Sequence, residues 1–233
     1  MISSTPFCAP EAGLSLLFLL MLGTAACPSP GGQERSEVVD LPEPQNAGEV
    51  SVEQAIQERR SIRTYGSSPL GLEEAGQLVW SAQGVTDPEG LRAAPSAGAT
   101  YPLELYLVAG GVEGLEAGVY RYLPRDHALE RTRKGDVRTA LARAALSQEW
   151  MSDAPVSLVI TGVLQRTAQR YGDRARRYVH IEAGCAAENV CLQATALGLG
   201  TVIVGAFRDE EVKEVLGLPE DHEPLCIMPV GKR

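Results

Sequence analysis

Three arginines and one serine fall within five consecutive positions, Arg59 to Arg63, early in this 233-residue chain. The chain is acidic overall, with a formal net charge of -9, so the cluster is a local exception. A guanidinium group is a planar fork of donors that suits phosphate oxygens, and a serine hydroxyl adds a short donor. We interpret the segment as a phosphate grip. The alternative is a solvated basic patch at a helix end, where the helix dipole favours cations.

A second segment, Ala94 to Pro102, is dominated by small residues between two prolines. Small side chains expose backbone amides and leave room above them. A planar ligand could therefore lie against this main chain and form hydrogen bonds to it. The alternative interpretation is an ordinary loop that leads into a strand at Leu103.

Two later segments complete the candidate chemistry. The stretch Val202 to Phe207 contains Gly205, which permits a ligand to approach the backbone closely. The chain ends on Lys232 and Arg233, directly after an apolar run. This basic pair is either a second set of phosphate donors or a solvated tail.

Helices must position these segments. Ser51 and Gln54 have the spacing of a capping box, which predicts a helix from about Val52 to Arg60 and places the arginine cluster where that helix ends. Further helices are predicted at 72–82, 136–146, 174–197 and 209–216. The interior of 174–197 is rich in alanine and glycine, which allow close approach of helices, so we expect it at the centre of the fold or in a subunit contact.

Apolar runs bounded by turn residues predict the strands. They lie at 103–109, 119–122, 127–132, 156–161, 201–205 and 225–230. The second and third form a hairpin around Pro124. This mixture predicts an α+β fold, with helices wrapped around a mostly antiparallel central sheet.

The amino-terminal part predicts export. Leu14 to Leu22 is an apolar run too short to span a bilayer, and small residues follow it up to Cys27. We interpret 1–26 as a lipoprotein-type export signal, 27–49 as a flexible linker rich in Pro, Gly, Glu and Ser, and 50–233 as the domain. Membrane contact would then come only through a lipid anchor at Cys27, which predicts a location in the cell envelope. The first Lys or Arg is Arg35, so a buried amino-terminal helix, or a start-site artefact and a cytoplasmic location, are the alternatives.

Composition narrows the function classes. An acidic chain argues against nucleic acid as a partner. The cysteines and histidines lack metal-ligand spacing, so no metal site is predicted. Cys185, Cys191 and Cys226 are interpreted as core thiols. His180 is the histidine in a candidate core position, and no Ser-His-Asp or paired-carboxylate pattern accompanies it.

Taken together and in order, these segments resemble the flavin-dependent nitroreductase family, most closely its SagB-type azoline-dehydrogenase branch. The resemblance runs from about Val50 to Arg233. Its most specific parts are the segments 59–63, 94–102, 171–174, 178–184, 194–200 and 229–231.

The resemblance implies a nitroreductase-like fold with FMN at a homodimer interface, so that each site takes residues from both chains. The residues it places around the cofactor are Arg59, Arg60, Ser61 and Arg63 at the phosphate and ribityl chain; Pro95, Ser96, Ala97 and Gly98 along the isoalloxazine from the partner subunit; Val204 and Gly205 near the reactive side of the ring; and Lys232 or Arg233 at the phosphate. The long small-residue helix would be the spine of the dimer.

The same resemblance implies an FMN-dependent oxidoreductase. Because the flavin carries the difficult chemistry, the protein needs only donors at its edge and a dry face for the substrate. Tyr171 and Tyr178 are the catalytic candidates, and Tyr101 is a further acid/base candidate, because their phenolic hydroxyls can donate protons. Azoline-forming relatives use a Lys-Tyr pair, whereas Arg170 precedes Tyr171 here.

Three functions follow as expectations. The first is ping-pong hydride transfer through flavin N5 to an unidentified acceptor, with NADH or NADPH as the candidate donor. The second is a peptide azoline (thiazoline or oxazoline) dehydrogenase. The third is an exported flavin-binding protein without turnover. The expected partners are a second copy of the chain and a small-molecule or peptide substrate.

Overall fold

The computed structural model describes residues 37–233 of the chain. The predicted export signal at 1–26 and the lipidation site at Cys27 lie outside the described residues. Within residues 37–233, no helix is both long enough and apolar enough to cross a membrane.

Six α-helices are present in this part of the chain, and the predicted capping box starts the first. The Gln54 N–H donates to the Ser51 hydroxyl at 3.2 Å. The helices are Val52–Glu58 (α1), Leu72–Gln83 (α2), Arg138–Ala144 (α3), Leu164–Tyr171 (α4), Ala175–Ala196 (α5) and Asp209–Leu216 (α6). Short 3-10 turns occur at Ala97–Ala99, Glu149–Asp153 and Gly172–Arg174.

The strands form one antiparallel sheet of seven, which confirms the predicted α+β architecture. They are Val38–Asp40 (β1), Leu103–Ala109 (β2), Gly118–Leu123 (β3), Ala128–Lys134 (β4), Val156–Gly162 (β5), Leu199–Thr201 (β6) and Glu223–Lys232 (β7). Their order across the sheet is β1-β4-β3-β2-β5-β7-β6. The predicted hairpin is β3 and β4, and β6 lies at the edge beside β7.

Both faces of the sheet are buried, because its central strands alternate between two apolar cores. Leu105 and Leu107 of β2 face a core formed with α2 and α5. Tyr106 and Val108 face the other core, formed with α3 and α6. A strand covered on both sides is apolar at nearly every position, which is why β2 and β5 read as continuous apolar runs.

Helix α5 is the packed centre of the larger core. From the sequence, we expected this helix either at the centre of the fold or in a subunit contact. Ala186, Val190 and Ala194 on its inner face are fully buried. Ala183 and Ala187 continue this face. The small residues therefore bring α5 close to α2 and the sheet within one chain.

The amino-terminal edge of the domain corrects the linker prediction. Val38–Asp40, expected in a flexible linker, pairs with β4 as strand β1. Leu41 is buried, and its N–H donates to the carbonyl of His127 at 3.1 Å. The physical reason is that β1 covers the otherwise open edge of β4.

Two other elements differ from expectation. The strand predicted at 201–205 is shifted to Leu199–Thr201, and beyond it Val204 makes a single bridge to Ile227. Helix α4 was not predicted. It is separated from α5 by a turn at Gly172, whose φ of 53° suits glycine.

Candidate functional site

The arginine segment is placed by the end of α1 and by the sheet edge. Helix α1 stops at Glu58, and the chain then runs beside β6. Ser61 forms a parallel bridge with Thr201, and the Ile62 N–H donates to the Thr201 carbonyl at 2.9 Å. Gly200 allows this approach, since a Cβ there would lie 2.6 Å from Cγ2 of Ile62.

The three guanidinium groups of this segment have few anionic partners. Arg59 Nε lies 3.8 Å from Glu188 Oε1, a loose and exposed pair. Arg60 Nη1 donates only to carbonyls of its own chain turn, those of Gln57 and Arg59. Arg63 lies over the ring of Trp150, 5.9 Å from its centroid. Within residues 37–233, no carboxylate is in ion-pair range of Arg60 or Arg63, so this cationic segment has capacity for an added anion.

The side chains of Lys232 and Arg233 differ in the contacts that they form within the chain. Lys232 Nζ forms an ion pair with Glu74 Oε1 at 2.5 Å. The Lys232 carbonyl also accepts the Gly66 N–H at 2.9 Å. Arg233 uses Nε to bond the Leu199 carbonyl at 3.0 Å. Lys232 or Arg233 was predicted to bind the phosphate. Because Lys232 is already paired with Glu74, Arg233 beside β6 is the more available donor for an anion.

A groove of about 700 Å³ lies between α5 and the segment that follows β6. Its small lining residues include Ala183, Gly184 and Ala187 of α5, together with Gly205. A Cβ added at Gly184 or Gly205 would meet nothing within 4 Å. Glu188, the partner of Arg59, directly follows Ala187, so α5 connects the groove with the arginine segment.

Val204 does not line this groove, contrary to expectation. Its side chain is buried in the core formed with α3 and α6. Its N–H and carbonyl are both bonded to Ile227. Ile203, which is 45% exposed, and Gly205 face the groove instead.

The small-residue loop is held against α4 and α5. The Ala97 N–H donates to Glu182 Oε1 at 2.7 Å. The Gly98 carbonyl accepts from Arg170 Nη1 at 3.1 Å. Thr100 and Thr167 hydroxyls lie 2.9 Å apart. The loop is therefore a fixed surface with many tertiary contacts.

The two candidate tyrosines lie together beside this loop. Their rings pack edge to face, with centroids 4.9 Å apart and an interplanar angle of 79°. A Cβ at Gly98 would lie 2.6 Å from the Tyr171 hydroxyl, so that hydroxyl is against the loop backbone. Arg170 and Tyr171 thus both contact Gly98.

Within one chain, the loop and the arginine segment occupy different faces of α5. The loop bonds to Glu182, whereas Arg59 reaches Glu188. Six positions on an α-helix are about 120° apart in rotation and about 9 Å apart along the axis. The predicted site residues therefore form two separate surfaces in one subunit.

Some residues of the site escaped sequence reasoning. Glu182 was not singled out, although an acid among the small residues of a central helix was a readable signal. Trp150 gave no signal, because its contact with Arg63 joins distant parts of the chain. His180, expected in the core, is exposed and lines the groove.

Comparison with known proteins now decides the family. The model of the nitroreductase family matches residues 56–232. The chain belongs to the nitroreductase family. It is thus a nitroreductase-family oxidoreductase, and the resemblance seen in its sequence is confirmed.

Several nitroreductase relatives cover most of this chain. A protein of Methanocaldococcus jannaschii named as a nitroreductase is 49% identical, over 79% of this chain and 92% of its own length. A crystal structure from Ralstonia eutropha JMP134, also named as a nitroreductase, has a TM-score of 0.72 at 29% identity, covering 88% of this chain and 92% of that one. One from Anabaena variabilis has a TM-score of 0.70 at 33% identity, but this chain spans only 38% of it.

A microcin-processing protein is also similar to this chain. The microcin B17-processing protein McbC of Escherichia coli is 26% identical over 68% of this chain, which spans 61% of McbC. The structure of the E. coli microcin synthetase McbBCD complex, with truncated pro-MccB17 bound, matches with a TM-score of 0.64 at 25% identity. That match covers 86% of this chain and 79% of the matched one.

Proposed function

We propose that this nitroreductase is an FMN-dependent oxidoreductase whose two active sites form between the subunits of a homodimer. Two observations carry the proposal: Arg60 and Arg63 of the arginine segment have no carboxylate partner among residues 37–233, and a groove on α5 includes Gly184 and Gly205 in its lining. Arg59, Arg60, Ser61, Arg63 and Arg233 would hold the phosphate and the ribityl chain. Gly184, Ile203 and Gly205 would receive the ring system.

The residues present fit such a cofactor. The phosphate dianion needs several donors, and guanidinium groups provide them with suitable geometry. The groove of about 700 Å³ lies within the size range of small-molecule and cofactor sites. Its glycines leave space where any side chain would intrude.

The separation of the two surfaces on α5 supports a composite site. In one subunit, the loop that contains Ala97 and the arginine segment contact different faces of α5. A second copy can bring its loop to the groove of the first, and the symmetry of a dimer then completes both sites. This arrangement uses every cofactor-binding residue predicted from the sequence except Val204 and Lys232.

The flavin, when bound, supplies hydride acceptance and donation at its N5 atom. The chain's own residues bind and orient. The arginine segment anchors the anionic tail, while the loop offers backbone groups and excludes water. Tyr171 holds a proton on its phenolic oxygen, where it can be donated to a substrate. NADH or NADPH is the candidate electron donor for the purified protein, and a different donor would serve an exported enzyme.

Purified protein provides the test. We expect visible flavin absorbance, bleaching by NADH or NADPH without oxygen, and return of the absorbance when an acceptor is added. Protein that binds FMN and is reduced by dithionite alone would favour a flavin-binding role without nicotinamide turnover. Absence of FMN binding would contradict the proposal.

A second candidate function is peptide azoline oxidation. The similarity to McbC, named for processing microcin B17, favours it, as does the position of Arg170 and Tyr171 against the loop. If Arg170, directly before Tyr171, is the position that matches the lysine of azoline-forming relatives, a guanidinium group stands there in place of an amine. We therefore expect wild-type protein to oxidise a thiazoline peptide poorly and Arg170→Lys to improve it. Arg166→Lys, which changes a nearby arginine in the same way, is the control.

The cell envelope remains the proposed location. Reduced nicotinamides are cytoplasmic, so an exported enzyme would need another electron donor. Fractionation of cells with an antibody against residues 50–233 tests this. Recovery of the protein with the cytoplasm would contradict export.

A further inference from the structure

The loop at 96–101 combines a strained backbone with internal hydrogen bonds such as that from the Ala99 N–H to the Ser96 carbonyl at 3.1 Å. Gly98, Ala99 and Tyr101 have φ values of 60°, 51° and 43°, all in the left-handed region. Alanine and tyrosine disfavour this region because their Cβ atoms crowd the backbone. Such a conformation persists only where surrounding groups fix it.

Glu182 is a buried carboxylate at the start of this strained stretch. Only 5% of the residue is exposed. Its Oε1 accepts the Ala97 N–H at 2.7 Å. Burial raises the pKa of the Glu182 carboxyl, while the bonds from Ala97 and Ser96 and the charge of Arg92 oppose that rise. An acid buried among alanines needs these partners to stay ionised.

Ser96 extends the hold of Glu182 to the far end of the loop. The Ser96 hydroxyl oxygen accepts the Tyr101 N–H at 2.9 Å. Glu182 thus bonds Ala97 directly, and the adjacent Ser96 bonds Tyr101. Contacts from Arg170 and Thr167 reach the loop from α4, but Glu182 fixes it to α5.

One turn of α5 contacts both the loop and the groove. Glu182 bonds the loop, and the next two residues, Ala183 and Gly184, line the groove. A rigid helix therefore sets where a subunit presents its loop relative to its own groove. In a two-fold dimer, this relation fixes the loop against the partner's groove as well.

We propose that Glu182 is the positioning residue of this loop: it presets Ser96 and Ala97 in the conformation that lies along the flavin ring, before the flavin binds. That the ligand is a flavin rests on the proposed function. The hydrogen bond by which Glu182 fixes the loop does not depend on it. Glu182 acts through the loop backbone and touches no reacting atom.

Amide hydrogen exchange on the full chain, with and without FMN, tests the proposal. Glu182→Ala leaves the buried Ala97 N–H without an acceptor, so exchange at residues 97–101 should quicken about tenfold or more before FMN is added. Glu182→Gln retains an acceptor oxygen and should restore most of the protection. Glu220→Ala, an exposed acid elsewhere, is the matched control and should resemble wild type.

FMN titration and visible circular dichroism of the bound flavin form the second readout. We expect Glu182→Ala to weaken FMN binding about tenfold and to alter the flavin dichroism, with Glu182→Gln near wild type. If Glu182→Ala does not fold, Glu182→Leu, which fills the same volume but offers no acceptor to the Ala97 N–H, should quicken exchange at residues 97–101 in the same way.

The outcomes separate the two claims. Unchanged exchange in Glu182→Ala, or in Glu182→Leu where that variant replaces it, overturns the positioning role even if FMN binds. A wild-type chain that binds no FMN contradicts the proposed function, and the exchange comparison still decides on the loop. Faster exchange with unaltered FMN affinity and dichroism overturns the claim that the loop lies along the flavin.

Discussion

Tyr171 is the side chain with the most specific chemical role in this account. Its hydroxyl lies against Gly98, and its ring is packed edge to face on Tyr178. A phenol held by two neighbours can deliver a proton with little reorganisation. Arg170 lies 5.6 Å from the centre of the same ring and adds a positive charge beside it.

Tyr171→Phe should lower kcat with NADH and a quinone or nitro acceptor by about tenfold to a hundredfold, because a positioned proton donor is lost. FMN affinity should stay unchanged, since the ring and its packing remain. Steady-state kinetics and an FMN titration measure the two effects. Tyr178→Phe, the other member of the pair, should have a smaller effect; equal kcat for wild type and Tyr171→Phe would exclude Tyr171 as the donor.

At the scale of residues, the sequence indicated which residues form the candidate site better than it indicated where their side chains lie. The arginine cluster was readable because repeated guanidinium groups in an acidic chain are unusual. The orientation of Val204 was not, because it depends on the bridge to Ile227. Nor was the commitment of Lys232 to Glu74, which are 158 positions apart.

Two glycines near β6 distinguish packing from binding. Gly200 contacts Ile62 in the arginine segment, whereas Gly205 opens on the groove. Gly200→Ala should displace that segment and destabilise the fold by about 1–3 kcal/mol, as overpacking does. Gly205→Ala should change stability by less than about 0.5 kcal/mol.

The Gly200→Ala and Gly205→Ala variants should also differ in FMN binding. Gly205→Ala should weaken FMN affinity although the fold is intact, because its methyl group enters the groove. Thermal unfolding and FMN titration of both variants provide the measurements. Full FMN affinity in a stable Gly205→Ala protein would place the ring system elsewhere.

At the scale of elements, strong local signals were sufficient for most helices and strands. The capping box located α1, and long apolar runs located β2 and β5. Strand β1 was missed because Val38–Asp40 is short and gains its structure from pairing with β4. Helix α4 was missed because its polar sequence is stabilised by contacts such as Arg166 with Glu104, which no local pattern reveals.

Across the whole molecule, the core formed with α3 and α6 abuts a titratable pair that affects stability. His222 is 5% exposed, and its Nδ1 lies 2.9 Å from the Tyr106 hydroxyl. Burial lowers the pKa of His222, and the charges of Glu104 and Asp221 oppose this only in part. Below its unfolded pKa, near 6.5, the unfolded chain therefore binds more protons than the folded chain.

Stability should consequently be complete above about pH 6.5 with respect to this group and should decrease as the pH falls through the lower folded pKa. Urea unfolding between pH 7.5 and pH 5 measures the slope. His222→Asn should flatten it, whereas His180→Asn, at an exposed position, should leave it unchanged. An identical slope in wild type and His222→Asn would contradict this assignment.

The order of the strands is the feature of the whole molecule that sequence could not supply. Strand β7, at the carboxyl end, inserts between β5 and β6. This pairing brings Lys232 and Arg233 to the arginine segment. Long-range pairings depend on the packed core as a whole, so only family resemblance could anticipate them.

In the proposed function, the arginine segment binds the phosphate of the cofactor. The most direct measurement is a fluorescence titration of wild type and of Arg59→Gln/Arg60→Gln/Arg63→Gln with FMN and with riboflavin, which lacks the phosphate; Arg125→Gln is the control. We predict that wild type binds FMN about a hundredfold more tightly than riboflavin and that the triple variant loses this preference while its riboflavin affinity stays the same. Equal FMN affinity in the two proteins, or no binding of either flavin by wild type, would contradict the account.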